Sequence, residues 1–350
     1  MEYSGQTKSV LFIVQHPAHV HQFKYLIAEL SQNKHKVKVL AIDKEITCNL
    51  LEKLGIEYEI LSTSKNGLFN KILDIFPQFF RLHNYVKKNK SNVMVTRGNV
   101  AACLYSGVSS IKHIIFSDSE PVFIDRYLIK LATTIITPDI FRKNYGRKHK
   151  RIKSYKEFAY LHPSYFKVDS SVHKELGIGG DEMFFILRFV AWKANHDVGE
   201  SGMSMEDKSN LVNYLSEFGK VFISSEKQLP DEFEKFKFPL PSDKMHDALS
   251  FATLFVGDSQ TMTTESAILG TPAIRINSFV GENDMANFIE LEKEYGLIFN
   301  FRNYSDGRSK IEELLSIPDL KKEWREKSNN LIADKVNLNE YMLQEILKSN

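Results

Sequence analysis

The sequence predicts an α/β protein of two domains, each built on a parallel sheet with helices on both faces. The chain has 350 residues, which is longer than one usual domain and long enough for two hydrophobic cores. Apolar, β-branched segments alternate with segments whose apolar residues recur at helical spacing. The alternation runs to residue 116 and begins again at residue 184, so it describes two successive parallel sheets.

The first series opens with a strand at 10–14, a helix at 21–31 and a strand at 37–42, which together form a βαβ unit. Helices and strands then alternate up to residue 116. The further helices predicted in this series are 47–54, 71–87 and 100–105, and the further strands are 58–61, 93–96 and 113–116. We therefore expect a Rossmann-like N-terminal domain over residues 1–160.

The second series begins with a strand at 184–188, and the segment 152–169, rich in Tyr, Lys and Pro, is the predicted linker before it. Its further elements are helices 208–217, 245–251 and 263–269 and strands 221–224, 254–256 and 272–275. We expect a second Rossmann-like domain over residues 161–320 and helices over 321–350 that return to the domain junction. The helical pattern begins at residue 311, with these predicted buried positions: Leu314, Leu315, Trp324, Leu331, Leu338, Met342 and Ile346.

Composition is that of a soluble globular protein, because 43% of the residues are hydrophobic and no apolar run approaches the ~20 residues that cross a bilayer. The apolar segment 10–14 runs into Gln15 and His16 without a small-residue cleavage site, which favours a buried strand over a signal peptide. Only Cys48 and Cys103 occur, which argues against a disulfide framework or a zinc site. We expect a cytoplasmic protein without a metal site.

Charge is distributed unevenly between the predicted domains. Residues 1–160 contain 25 Lys and Arg against 13 Asp and Glu, a net charge of +12, whereas residues 161–350 contain 21 against 31, a net charge of −10. A basic patch over residues 142–156 supplies much of the excess: Arg142, Lys143, Arg147, Lys148, Lys150, Arg151, Lys153 and Lys156. Two interpretations stay open. The patch is either a solvated face or a docking surface, and a docking surface would bind an anionic inner membrane face or a phosphorylated acceptor. We do not expect nucleic acid as a partner, because the patch carries no recognisable binding module.

The clearest motif follows the predicted strand 254–256. A turn and a helix start of small polar residues come directly after that strand: Gly257, Asp258, Ser259, Gln260 and Thr261. Unpaired backbone N–H groups and hydroxyls at a helix start favour an anion, so this segment is the predicted diphosphate site. Glu265 lies about one turn into the helix and is predicted to accept hydrogen bonds from two ribose hydroxyls. The alternative is an ordinary N-cap with Glu265 in a capping box.

This segment resembles the donor site of GT-B nucleotide-sugar enzymes, where Asp-Ser-Gly-Gly followed by Glu-Ala marks the non-hydrolysing UDP-N-acetylglucosamine 2-epimerases. Gln260 and Thr261 replace the paired glycines here, which counts against the epimerase reaction because the backbone has less freedom to approach a phosphate. Other segments resemble the prokaryotic DUF354 family, a relative of those enzymes without an assigned reaction: 16–21, 157–163, 187–192, 195–197 and 224–226.

The resemblance covers approximately residues 8–300 and implies a GT-B fold, in which two sheets face each other across a ligand cleft. It also implies a nucleotide-sugar ligand, and UDP is favoured by the resemblance alone. We therefore expect a UDP-sugar as substrate and no required cofactor.

Three imidazoles follow the first predicted strand, in His16, His19 and His21. Histidine exchanges a proton near neutral pH, so His19 or His16 is the candidate general base. Helix capping and side-chain packing are the alternative. A metal site is disfavoured, because the spacing does not by itself converge on an ion and no carboxylate motif adjoins.

Candidate residues also follow other predicted strands. Asp118 is a second candidate base, with loop capping as the alternative. Arg188 can bind a phosphate through its planar guanidinium or form a structural salt bridge. His196 lies in the loop after Arg188 and stands beside a carboxylate, as acid–base chemistry requires. Met245 and His246 open a predicted helix, a position that by resemblance to GT-B proteins carries backbone contacts to the nucleotide base.

Three functions stay open. The first is a metal-independent glycosyltransferase of surface polysaccharide or glycoconjugate synthesis, in which His19 or Asp118 deprotonates a lipid-linked or anionic glycan acceptor and Arg188 stabilises the departing diphosphate. The second is a nucleotide-sugar epimerase or hydrolase with acid–base pairs from the same candidates. The third is a non-catalytic nucleotide-sugar-binding protein. Walker A, dinucleotide and nucleophile-elbow motifs are absent, so kinase, dehydrogenase and esterase functions have no support.

Overall fold

The computed structural model contains two compact units, each with its own parallel sheet. It describes residues 7–44, 46–64, 67–118, 128–180, 182–189, 203–225, 228–277, 280–281 and 284–348, with the backbone alone at 68–71. Unit 1 comprises Met1–His162 and Val336–Asn350, and unit 2 comprises Pro163–Lys335. The predicted fold class, two α/β domains with parallel sheets, is confirmed. The segment 321–350, treated as one tail in the sequence, is divided between the two units at Val336.

The sheet of unit 1 has seven strands: β1 (Ser9–Val14), β2 (Lys36–Asp43), β3 (Glu59–Thr63), β4 (Val93–Thr96), β5 (Lys112–Phe116), β6 (Thr134–Pro138) and β7 (His149–Ile152). Their order in the sheet is β3-β2-β1-β4-β5-β6-β7. The helices between them are α1 (Pro17–Gln32), α2 (Thr47–Lys53), α3 (Leu68–Asn89) and α4 (Val100–Gly107), and α5 (Phe158–Leu161) follows β7. The strand order reverses between β1 and β4, so the loops that follow these two strands diverge and leave space for a ligand.

The sequence did not predict β6 and β7. β7 contains Lys150 and Arg151 of the basic patch and forms an edge of the sheet, where charged residues hinder pairing with another chain. The polar composition of β7 is not typical of a buried strand, so the sequence did not indicate it. The segment 152–169, predicted as a linker, contains α5, and its Tyr155 and Phe158 are buried in unit 1.

The sheet of unit 2 has five strands: β8 (Phe184–Arg188), β9 (Lys220–Ser224), β10 (Leu254–Gly257), β11 (Ala273–Ile276) and β12 (Ile298–Phe301). Their order is β12-β11-β10-β8-β9, so the switch point lies between β8 and β10. The helices of unit 2 are α6 (Ser171–Glu175), α7 (Met205–Ser216), α8 (Met245–Phe251), α9 (Gln260–Leu269), α10 (Ala286–Lys293), α11 (Tyr304–Leu315) and α12 (Leu320–Asp334). A further helix, α13 (Leu338–Leu347), belongs to unit 1.

The C-terminal helices supply core residues to both units. Six of the seven predicted buried positions are buried: Leu314, Trp324, Leu331, Leu338, Met342 and Ile346. α12 is fixed to α9 by Ser328, whose hydroxyl donates to the carbonyl oxygen of Ile268 at 2.6 Å. α13 is fixed in unit 1 by Asn339, whose amide donates to the carbonyl oxygen of Ala159 at 2.7 Å.

Candidate functional site

The turn after β10 opens α9 and carries the predicted anion-binding segment. Ser259 is the N-cap residue, and its hydroxyl oxygen accepts a hydrogen bond from the backbone N–H of Met262 at 3.4 Å. Gln260 and Thr261 are the first two helical residues, and N–H groups at these positions have no acceptor within a helix. The helix dipole adds partial positive charge at the same place. The turn therefore provides the donors that a diphosphate requires.

Gly257 and Arg188 are paired neighbours at the switch point of the unit 2 sheet. The N–H of Asp258 donates to the carbonyl oxygen of Arg188 at 3.2 Å. A Cβ atom at Gly257 would overlap that carbonyl oxygen, so a larger residue would force the strands apart. The guanidinium of Arg188 donates from Nη1 to the hydroxyl of Ser224 at 3.0 Å, which holds it along the carboxyl edge of the sheet. Arg188 and the turn are thus fixed relative to each other.

His246 and Glu265 are brought together although they are distant in sequence. Nε2 of His246 lies 3.0 Å from Oε1 of Glu265, and the two side chains are 13% and 7% exposed. The ring of Phe166 packs edge-on against His246, with the centroids 6.0 Å apart. Met245, the first residue of α8, is half-buried beside His246. The contact orients Glu265 through His246, and α9 has no capping box that uses Glu265.

Lys208 is a site residue that the sequence did not predict. It belongs to α7, is only 4% exposed, and places Nζ 5.4 Å from the ring centroid of Phe189. Burial lowers the pKa of Lys208, and the negative charge of Asp258 opposes this shift. Lys208 therefore adds a positive charge beside the turn after β10. An isolated lysine in an amphipathic helix gives no such signal, because lysines are rarely buried.

In unit 1, an ion-pair cluster forms from residues that follow β4, β5 and β7. The carboxylate of Asp118 pairs with the guanidinium of Arg97 and with Nζ of Lys156, the latter at 2.8 Å. Nζ of Lys156 also lies 2.8 Å from Oε1 of Glu157. None of the four side chains is more than 12% exposed. The cluster thus contains two cations and two carboxyl groups in direct contact.

The cluster determines the charge of Asp118. Burial alone would raise the pKa of Asp118, but Arg97 and Lys156 outweigh burial and hold the pKa well below its usual range. Burial would lower the pKa of Lys156, but Asp118 and Glu157 raise it above its ordinary value. Asp118 is therefore ionised at neutral pH, and a carboxylate of such low pKa is a weak base. The geometry favours Asp118 as an anchor for Arg97.

His16 and His19, at the start of α1, have different surroundings. His16 is the N-cap residue, and its Nδ1 accepts a hydrogen bond from the N–H of Ala18 at 3.1 Å. The ring centroid of His19 lies 6.1 Å from that of His16. Burial lowers the pKa of His19 well below 6.5, and Arg97 and His16 lower it further. His19 is neutral at pH 7, and its Nδ1 has no hydrogen-bond partner among the described residues.

His196 lies outside the described residues, as do Trp192 and Asp197 of the same loop. His21 packs against Tyr160, with ring centroids 5.5 Å apart. In the described part of the chain, no group of three or more His, Cys, Asp or Glu side chains is arranged to hold a metal ion.

The model of the family described as "Protein of unknown function (DUF354)" matches residues 10–285 of the chain. The chain belongs to the DUF354 family. A comparison of this DUF354 protein with curated protein sequences gave no match.

Solved structures share the fold of this DUF354 protein over nearly its whole length. UDP-GlcNAc 2-epimerase from Neisseria meningitidis, bound to UDP-GlcNAc, has a TM-score of 0.68 at 13% identity, with 97% of this chain and 99% of that chain covered. The S. aureus MnaA–UDP co-structure has a TM-score of 0.69 at 14% identity and covers 98% and 99%. MurG from Acinetobacter baumannii has a TM-score of 0.62 at 15% identity and covers 97% and 100%. The DUF354 protein therefore has the GT-B fold.

Proposed function

We propose that this DUF354 protein is a glycosyltransferase that binds a nucleotide-sugar, with a UDP-sugar favoured, in unit 2. The observation that carries the proposal is the arrangement at the switch point of the unit 2 sheet. There the α9 start lies beside Arg188, and the same helix carries the oriented carboxylate of Glu265. Two structures that share the fold hold UDP-GlcNAc or UDP, which supports the choice of UDP.

In this proposal the diphosphate binds at the N-terminus of α9. The N–H groups of Gln260 and Thr261 donate to its oxygens, while Ser259 keeps its role as the cap. Arg188 contributes a planar, permanently charged donor, and Lys208 contributes a second positive charge. The same groups stabilise the nucleoside diphosphate as it leaves, because negative charge develops on it in the transition state. The proposal thus assigns charge stabilisation to side chains and backbone, without a required metal or cofactor.

The nucleoside is held by the second half of the site. Glu265, which is oriented by its contact with His246, accepts hydrogen bonds from the ribose hydroxyls, since each carboxylate oxygen has two acceptor positions. The backbone of Met245 and His246, at the start of α8, contacts the base. The negative charge of Asp258 supports the positive charge of Lys208 against the effect of burial.

Proton transfer is assigned to His19 in unit 1. Its imidazole is neutral near pH 7, so it can accept the proton of an acceptor hydroxyl. Asp118 holds Arg97 in place and does not exchange the proton itself. The positive charge of residues 1–160 suits an anionic or lipid-linked glycan as acceptor, in the synthesis of a surface polysaccharide or glycoconjugate.

Calorimetry of the purified chain with UDP, GDP, CMP and TDP tests the nucleotide site. We expect selective binding of UDP and a loss of at least about tenfold in affinity for Glu265→Ala and for Arg188→Ala, because each removes a charge-assisted hydrogen bond. Lys235→Ala, at an exposed position of the same unit, is the matched control and should bind as the unchanged chain does. Failure of all four nucleotides to bind would refute the proposal.

An epimerase is the second candidate, favoured by the shared fold with the two structures that hold UDP-GlcNAc or UDP, one of them an epimerase. Incubation with UDP-GlcNAc alone, followed by NMR, distinguishes the two functions. A 2-epimer formed without an acceptor would establish the epimerase, whereas consumption that requires an added glycan would establish the transferase. Tight binding with neither reaction would identify a non-catalytic nucleotide-sugar-binding protein.

A further inference from the structure

Four exposed apolar side chains share one face of α3. Ile72, Leu73, Phe76 and Phe80 are 48%, 53%, 69% and 62% exposed. Positions 72, 73, 76 and 80 fall on one side of a helix of 3.6 residues per turn. Pro77, also exposed, adds no polar group to this apolar face. Large apolar side chains clustered in this way mark an interaction surface more often than isolated ones do.

The opposite face of α3 packs into the core of unit 1. Leu82, Tyr85 and Val86 are buried in a cluster that includes strands β1, β2 and β4, and the ring of Phe79 packs against Tyr105 at 5.9 Å. Rotation of the helix would expose these residues. The apolar face therefore points outward as a consequence of the packing.

Basic residues continue the same outward side toward the end of α3. Lys87 and Lys88 are exposed there. Apolar residues followed by lysines on one helix are complementary to a bilayer surface with anionic headgroups. A second copy of the chain fits less well, because two such faces would bring like charges together in domains that each carry an excess of Lys and Arg.

The basic patch of residues 142–156 is a weaker candidate for the same role, since part of its charge is used internally. Lys150 forms an ion pair with Glu345 at 2.6 Å. Arg151 donates to the carbonyl oxygens of Asp139 and Lys143 at 2.6 and 3.1 Å. Lys156 belongs to the buried cluster with Asp118.

We propose that the apolar face of α3 (Ile72, Leu73, Phe76 and Phe80) docks on an anionic bilayer, with Lys87 and Lys88 at the headgroups. Such docking is peripheral, since no described helix combines the length and apolar character needed to cross a membrane.

This orientation brings the site of unit 1 to the lipid surface. α3 follows β3, so its apolar half lies at the carboxyl edge of the sheet. On its inner side, Oε1 of Gln78 accepts from the amide of Asn99 at 3.4 Å, and that amide also donates to Gln15 at 3.2 Å. Asn99 and Gln15 follow β4 and β1. Arg97 lies in the same loop as Asn99, and His19 lies in the first turn of α1, shortly after Gln15. A membrane-embedded acceptor would therefore arrive beside these loops.

Co-sedimentation of the full chain with vesicles tests the docking. We expect binding to vesicles of phosphatidylglycerol and phosphatidylcholine, weaker binding at high salt, and little binding to phosphatidylcholine alone. The double substitution Leu73→Ser/Phe76→Ser should weaken vesicle binding at least about tenfold, because two apolar side chains that insert into the bilayer are lost. Val108→Ser, also in unit 1 and 75% exposed but outside α3, is the control and should leave binding unchanged.

Tryptophan fluorescence of the Phe76→Trp variant gives a second readout. We expect its emission to shift to the blue when anionic vesicles are added, and we expect no such shift for the control variant Phe218→Trp in unit 2. Two results would overturn the inference: no binding of the unchanged chain to anionic vesicles, or unaltered vesicle binding by Leu73→Ser/Phe76→Ser. In the second case, a change of oligomeric state in that variant would assign the face to a second copy. Nucleotide calorimetry on the same variant should be unaffected, so this inference and the proposed function fail separately.

Discussion

Nζ of Lys156 lies 2.8 Å from the carboxylate of Asp118, and neither side chain is more than 12% exposed. Lys156→Met should destabilise unit 1 by about 3 kcal/mol or more, because removal of one member of a buried pair leaves charge without its partner. Urea unfolding followed by circular dichroism measures the effect. Lys148→Met changes an exposed lysine and should stay within about 0.5 kcal/mol. Equal stability of the two variants would show that the cluster contributes little.

The acid side of the stability profile should depend on Asp118. Its pKa is lower in the folded than in the unfolded chain, so its contribution is present above the unfolded value of about 3.9 and is lost as pH falls through the folded value. Asp118→Asn should therefore be less stable at pH 7, with a smaller difference from the unchanged chain at pH 2. Denaturant titrations at both pH values provide the comparison. A constant difference across that range would contradict the lowered pKa.

The pH dependence of turnover should reveal His19. Because the pKa of His19 is well below 6.5, the neutral base persists in mildly acidic solution. We expect kcat/KM of the transfer reaction to stay level as pH falls through 6.5 and to decline only at lower pH. His19→Gln should reduce turnover by at least about a hundredfold and leave UDP affinity unchanged. A decline centred at or above pH 6.5 would assign the limb to another group.

The contact between His246 and Glu265 should make their effects on nucleotide binding non-additive. His246→Gln should weaken UDP binding severalfold, since Glu265 loses the partner that orients it. In the Glu265→Ala background, the same substitution should add almost nothing. Calorimetry of the four proteins completes the cycle. Additive losses would mean that the imidazole of His246 acts on the nucleotide independently of Glu265.

Gly257 should tolerate no side chain. Gly257→Ala forces the new Cβ atom against the carbonyl oxygen of Arg188, and we expect a destabilisation of about 1–3 kcal/mol together with weaker UDP binding. Gly179→Ala is the matched control, because no heavy atom lies within 4 Å of the added Cβ atom there. Thermal unfolding of the two variants provides the comparison. Similar melting temperatures for both would contradict the close approach of β8 and β10.

The strand, turn and helix around Ser259 could be predicted from the sequence, because the residues that indicate each element lie within a few positions of one another. β7 was not predicted, because an edge strand need not be apolar. Its Lys150 and Arg151 are typical of a solvated segment. Lys156 was assigned to the basic patch, because only the fold shows that Asp118 lies beside it. Lys208 was missed for the same reason. Contacts between distant side chains depend on strand order, which composition and periodicity do not encode.

The division of the chain at Val336 affects the order in which the protein can assemble on the ribosome. Unit 2 is one continuous segment of the chain, whereas unit 1 includes α13, which follows unit 2 in the sequence. Leu338, Met342 and Ile346 are buried there, so its core lacks these side chains until α13 emerges. Unit 1 therefore begins before unit 2 and is completed after it, so the seven-stranded sheet must remain competent for docking of α13 throughout synthesis of unit 2.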